Sequence, residues 1–114
     1  MILLHNPRCS KSREALAALE ARGFTPTIRR YLDEPLSKAE IVELLAQLKL
    51  APLELVRQKE ELWREVSAGC ALNDAEIVEL LVQHPKLIER PILIYQNQAA
   101  IGRPVENLLN LLSK

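Results

Sequence analysis

His5-Asn6-Pro7-Arg8-Cys9-Ser10-Lys11-Ser12-Arg13 follows the apolar run Ile2-Leu3-Leu4 and leads directly into Glu14-Ala15-Leu16-Ala17-Ala18-Leu19. That order predicts a short strand, a tight turn at Asn6-Pro7 and a helix that opens on a cysteine. A thiol at a helix start faces unpaired N–H groups and the positive end of the backbone dipole, and both favour thiolate over thiol. Arg8, Lys11 and Arg13 add positive charge, and no acid occurs before Glu14. The stretch therefore points to a nucleophile or redox centre that works on something negative.

Leu16 and Leu19 repeat on one face of this helix, and Gly23 suits the left-handed position that ends it. Thr25 to Leu32 is rich in β-branched residues and is expected to form a second strand. A crossover helix between two strands makes a right-handed βαβ unit with the strands parallel. A helical block follows. Ser37-x-x-Glu40 is a capping box ahead of Ile41, Leu44, Leu45 and Leu48. Pro52 is expected at the first position of a helix running through Leu53 and Val56 towards Trp63. Asn73-x-x-Glu76 caps another helix, carrying Ile77, Leu80 and Leu81 and ended by Pro85. Strand character returns at Ile92–Tyr95 and Ala99–Ile101 around a polar turn, and Pro104 opens a last helix with Leu108, Leu109, Leu111 and Leu112. The order is βαβ, an inserted helical block, then ββα: an α/β chain expected to form a single domain over residues 1–114.

The chain has 114 residues, enough for one core, and its 48% hydrophobic and 26% charged residues are an ordinary globular mix. A formal net charge of +0 gives no overall field towards nucleic acid or an anionic membrane. No apolar run is long enough to span a bilayer, and the start lacks the basic, apolar and small-residue order of a signal peptide. The two cysteines, Cys9 and Cys70, are far apart and read as reduced thiols in a cytoplasmic protein. With His5 and His84 at no zinc-like spacing, no metal site is expected.

Cysteine at the first helix start within βαβ plus ββα is the thioredoxin-like plan. His5-Asn6-Pro7-x-Cys9-x-x-Ser12-Arg13, Leu55-Val56-Arg57-Gln58-Lys59, Glu89-Arg90-Pro91-Ile92 and Gly102-Arg103-Pro104 make the chain resemble the glutaredoxin-coupled arsenate reductases, the ArsC family, in its short bacterial branch. The resemblance runs over nearly the whole chain. It implies a thioredoxin-like fold with a mixed four-stranded sheet, and Cys9 as the catalytic residue. It further implies Arg57, Arg90 and Arg103 around Cys9 as an oxyanion clamp, His5 and Ser12 as supporting residues, and a cis Pro91 facing the cysteine. No bound cofactor is implied; glutathione is the co-substrate and glutaredoxin the partner, with arsenate or a similar oxyanion as substrate.

The chemistry fits those residue types. A helix N-terminus both stabilises a thiolate and binds oxyanions, and arginine forks grip two oxygens without losing charge. Ser12 stands where a dithiol enzyme places its resolving cysteine, so the second thiol must come from outside. Two other functions remain open at this point. One is a glutathione-dependent thiol oxidoreductase acting on another substrate. The other is an Spx-like transcriptional regulator, against which the missing second cysteine argues. Cys70 lies between Gly69 and Ala71 with no nearby cation and reads as passive. Arg29, Arg30 and Arg64 read as solvated surface, His84 as a helix-end residue and Trp63 as core.

Overall fold

In the computed structural model, which describes residues 1–67 and 72–113, Ile2–Leu4 form strand β1 and Ser10–Ala21 form helix α1. Strand β2 (Thr27–Arg29), helices α2 (Lys38–Leu48), α3 (Glu61–Ser67) and α4 (Asp74–Gln83), strands β3 (Ile92–Tyr95) and β4 (Gln98–Ile101), and helix α5 (Glu106–Leu112) follow. The described residues divide into two compact units: Met1–Glu34 with Arg90–Lys114, and Pro35–Glu89. Cys70 lies outside the described residues. No helix among the described residues is long and apolar enough to cross a membrane.

The first unit holds the whole sheet, in the order β2-β1-β3-β4. β1 and β2 are parallel, as the crossover through α1 requires, while β1–β3 and β3–β4 are antiparallel. This mixed four-stranded sheet with α1 and α5 is the thioredoxin-like arrangement expected from the sequence. Gln96 and Asn97 both take positive φ (50° and 62°), so the tight β3–β4 hairpin turns in the sense that matches strand twist. Gly23 takes φ +84° after α1, the left-handed helix stop that its position predicted. Leu3, Ala15, Leu19, Leu93, Leu108 and Leu111 form the buried centre between sheet and helices.

β2 is shorter than the strand expected over Thr25 to Leu32. β1 offers only three residues to pair with, Ile2↔Thr27 to Leu4↔Arg29. Beyond them Asp33 and Glu34 donate their N–H groups to the Arg30 carbonyl and close a turn.

The second unit is helical. Both predicted capping boxes form: Ser37 Oγ accepts from Glu40 N while Glu40 returns to Ser37 N, and Asn73 and Glu76 do the same. α2 and α4 pack together and bury Ile41, Leu44 and Leu45 from one, and Ile77, Val78 and Leu81 from the other. The helix expected from Pro52 towards Trp63 is not continuous. A 3₁₀ turn, Pro52–Leu55, stops at Val56, which pairs antiparallel with Ile88, and α3 starts only at Glu61. Arg57 N donates to the Leu87 carbonyl (2.7 Å) and Glu89 N to the Leu55 carbonyl (2.8 Å), so these backbone groups are used across the unit and not along a helix.

Gly102 is where the first unit leaves no room for a side chain. A Cβ there would lie 2.9 Å from Pro91 Cγ and 3.0 Å from Leu108 Cδ1, while Gly102 N donates to the Pro91 carbonyl at 2.8 Å. Gly102→Ala forces the stiff proline ring or the buried Leu108 to move. The expected cost is about 1–3 kcal/mol in urea unfolding, with the Pro91 loop displaced; an unchanged midpoint would show that the contact relaxes freely.

Candidate active site

Cys9 is the N-cap of α1, with extended backbone (φ −94°, ψ 124°), and is only 9% exposed. The loop leading to it is tied locally. Asn6 Oδ1 accepts from Arg8 N (3.0 Å), the Asn6 carbonyl accepts from Cys9 N (3.0 Å), and Arg13 Nη1 donates to the Pro7 carbonyl (2.9 Å). Asn-Pro ahead of a helix start thus folds into a turn that aims the thiol along the first helical N–H groups.

Burial pushes the Cys9 thiol up, but other groups outweigh it. The Ser12 N–H, the Arg90 charge, the Lys11 N–H and the Arg90 guanidinium N–H pull the other way, and the thiol ends below its ordinary range. The two backbone N–H groups act on the sulfur without closing a full side-chain cap hydrogen bond. The balance shifts the thiol towards thiolate relative to a free cysteine. The iodoacetamide rate, followed against pH, is expected to reach half its plateau below the usual thiol range, and Arg90→Gln to move that point up. A titration at or above the free-thiol value would remove the activated nucleophile.

Arg90, before the cis Pro91, supplies the charge. Its Nε is buried and has no hydrogen-bond partner among the described residues. Such an N–H is normally satisfied, so it is a donor available to a ligand oxygen beside the sulfur. Arg103, before a second cis proline at Pro104, donates its Nε to the Arg90 carbonyl at 2.7 Å. A shallow cleft of about 350 Å³ is lined by Lys11, Glu14, Gly102, Arg103, Pro104, Val105 and Glu106.

His5 and Ser12 are buried in the same turn, with His5 Nδ1 2.8 Å from Ser12 Oγ, which also accepts from Asn6 N at 3.0 Å. Burial, then the charges of Arg30 and Arg13, hold the His5 imidazole below its usual range. This favours the neutral imidazole, and Ser12 links it to the cysteine loop.

The structure thus gathers Cys9, His5, Ser12, Arg90, Pro91 and Arg103 within the first unit. Arg57 belongs to the second. There its Nη2 lies 2.6 Å from Glu60 Oε1 and its Nη1 donates to the Lys86 carbonyl at 3.3 Å.

A sequence profile described as "ArsC family" matches residues 4–111. The chain belongs to the ArsC family. An "Arsenate reductase" from Haemophilus influenzae is 40% identical over 114 residues, covering 98% of this chain and 98% of that protein. An Escherichia coli K12 protein described as "Uncharacterized protein YfgD" is 41% identical over 111 residues, covering 96% of this chain and 93% of that one. Among solved structures, an arsenate reductase from Vibrio cholerae superposes with TM-score 0.91 at 43% identity, covering 96% of this chain and 94% of that chain.

Two residues of this ArsC-family chain went unnoticed in the sequence. Asn107 Nδ2 donates to the Ile101 carbonyl (3.1 Å) and the Arg103 carbonyl (3.3 Å), bracing the loop that carries Arg103. Its place three residues after Pro104 marks it only as a polar residue near a helix start. Glu60, the acid on Arg57, sits in a charged run, Lys59-Glu60-Glu61, where nothing local distinguishes it.

Proposed function

We propose that the chain reduces arsenate to arsenite, with Cys9 as the attacking thiolate and with glutathione and glutaredoxin as the electron donors. The observation that carries this reading is the cationic Arg90 beside a buried thiol held below its ordinary range, with one guanidinium N–H still unpartnered among the described residues. A tetrahedral oxyanion satisfies that N–H and places its central atom near sulfur. Membership of a family whose relatives include proteins described as arsenate reductases supports arsenate as that anion. Arg103 adds charge next to Arg90, and Arg57 enters as a third oxyanion-binding arginine from its motif.

The proposed steps balance. Cys9 sulfur forms a bond to arsenic as one oxygen leaves as water. Glutathione's sulfur then bonds to arsenic as a second oxygen leaves as water, and a glutaredoxin thiol attacks the glutathione sulfur. The electron pair of the glutathione sulfur–arsenic bond falls to arsenic, which passes from +5 to +3. The two donor thiols end as a mixed disulfide, water cleaves the remaining Cys9 sulfur–arsenic bond, arsenite departs, and Cys9 is returned as thiolate. Ser12 at the fourth position of Cys-x-x-Ser leaves no second thiol within that motif to resolve the adduct, which is why external thiols are assigned that role. The shallow cleft, with Lys11 and Arg103 beside Glu14 and Glu106, offers a mixed-charge wall that suits the carboxylates and the ammonium group of glutathione.

NADPH oxidation coupled through glutathione reductase, with glutathione and glutaredoxin present, tests the reading. Oxidation that depends on arsenate and on both donors is expected. Turnover of a disulfide substrate with none of arsenate would reassign the site to thiol exchange.

A further inference from the structure

Arg57 is surrounded by acids. Its Nη2 is 2.6 Å from Glu60 Oε1 and its Nε is 3.9 Å from Glu89 Oε1, while Lys86 Nζ lies 3.9 Å from Glu60 Oε2. Two cations and two anions make a quartet whose charges cancel. Arg90 and Arg103 differ: among the described residues neither pairs with a carboxylate. An arginine whose charge is neutralised by its own neighbours attracts an oxyanion far less than a bare one does.

We propose that Glu60 is a positioning residue that tunes anion affinity by holding the Nη2 edge of Arg57 until a tetrahedral oxyanion displaces it. This rests on Arg57 being an oxyanion-binding residue. The pair is neither deep nor free: side-chain exposure is 20% for Arg57 and 21% for Glu60. Glu60 can therefore turn to water when an anion arrives, and the exchange costs what a partly solvated ion pair is worth. Arg57 stays in place meanwhile, because Nη1 keeps the Lys86 carbonyl and its backbone N–H keeps the Leu87 carbonyl. Such a latch weakens the hold of Arg57 on arsenate, phosphate and sulfate alike, so that a bound anion exchanges readily.

Calorimetric titration of arsenate, and separately of phosphate, into the full chain carrying Cys9→Ser tests this without turnover. Adding Glu60→Gln keeps the shape of the side chain and moves the quartet from zero to one positive charge. Both anions are expected to bind roughly two- to fivefold tighter, the range set by the loss of a competing partly exposed ion pair. Glu60→Asp, which restores the carboxylate, is expected to return most of the way to the parent affinity. The gain should vanish when Arg57→Gln is added. In the catalytically intact chain, Glu60→Gln should lower KM for arsenate without raising kcat, a split that general loosening does not produce. Unchanged or weaker binding in Glu60→Gln, or a gain that survives Arg57→Gln, overturns the latch. If Arg57→Gln alone weakens arsenate while Glu60→Gln does not tighten it, only the latch falls. If Arg57→Gln alone changes nothing, the oxyanion role of Arg57 falls and takes the latch with it.

Discussion

Cys9→Ser is expected to reduce arsenate turnover to the background of the assay. The substitution keeps the size of the side chain and its place at the start of α1. What it removes is the only group there able to be an anionic nucleophile at neutral pH, since an alcohol without an adjacent base remains protonated. The environment that lowers the thiol, namely the Ser12 and Lys11 N–H groups and Arg90, acts on a charge that serine does not carry. Fold and anion binding should survive, because Cys9 makes no side-chain cap hydrogen bond whose loss would unseat the helix. Unfolding midpoint and phosphate affinity within error of the parent, alongside lost turnover, distinguish a missing nucleophile from a damaged fold. Retained turnover would move the chemistry to another residue.

The second large effect belongs to Arg90. It holds the thiolate by charge and by an N–H, and it offers the unpartnered Nε to an incoming oxygen. Losing a hydrogen bond to a charged group costs about 1.5–3 kcal/mol, or roughly tenfold to over a hundredfold in kcat/KM. Arg90→Gln should reach that range or exceed it, because nucleophile and substrate lose the same cation. Arg90→Lys is expected to rescue poorly: the charge returns, but the planar fork and the Nε donor do not. Arg64→Ala, on the exposed side of α3, serves as the control and should stay near the parent value. Equal kinetics for the Arg90 and Arg64 variants would show that no arginine clamp operates at Cys9.

The parts of the fold that the sequence made legible are those written in short range. Ser37 with Glu40 and Asn73 with Glu76 sit three residues apart, and both boxes close as read. Gly23 stops α1 by its own backbone freedom. The misread segments are those where a distant partner decides. Thr25 to Leu32 has the composition of a long strand, but β1 supplies only three residues to pair with. Pro52 to Trp63 has helical spacing, yet Arg57 N donates to the Leu87 carbonyl and Glu89 N to the Leu55 carbonyl on either side of the Val56–Ile88 bridge, which breaks the helix. The site divides in the same way. Cys9 at a helix start among cations needs only nine consecutive residues to be noticed. Arg90 and Arg103 become meaningful once β3 and the loop after β4 are folded, when one guanidinium binds the other residue's carbonyl at 2.7 Å. Glu60 shows its role only through the 2.6 Å approach to Arg57.

Cys9 is expected to carry arsenic and then the glutathione-linked species as covalent intermediates. Intact-protein mass spectrometry tests it most directly, on the full chain incubated with arsenate and glutathione, glutaredoxin withheld, quenched in acid and then mapped by proteolysis. The expected result is added mass on the Cys9 peptide that requires both arsenate and glutathione, is absent in Cys9→Ser, and disappears when glutaredoxin is supplied. Cys9 left unmodified while arsenite accumulates would contradict the account.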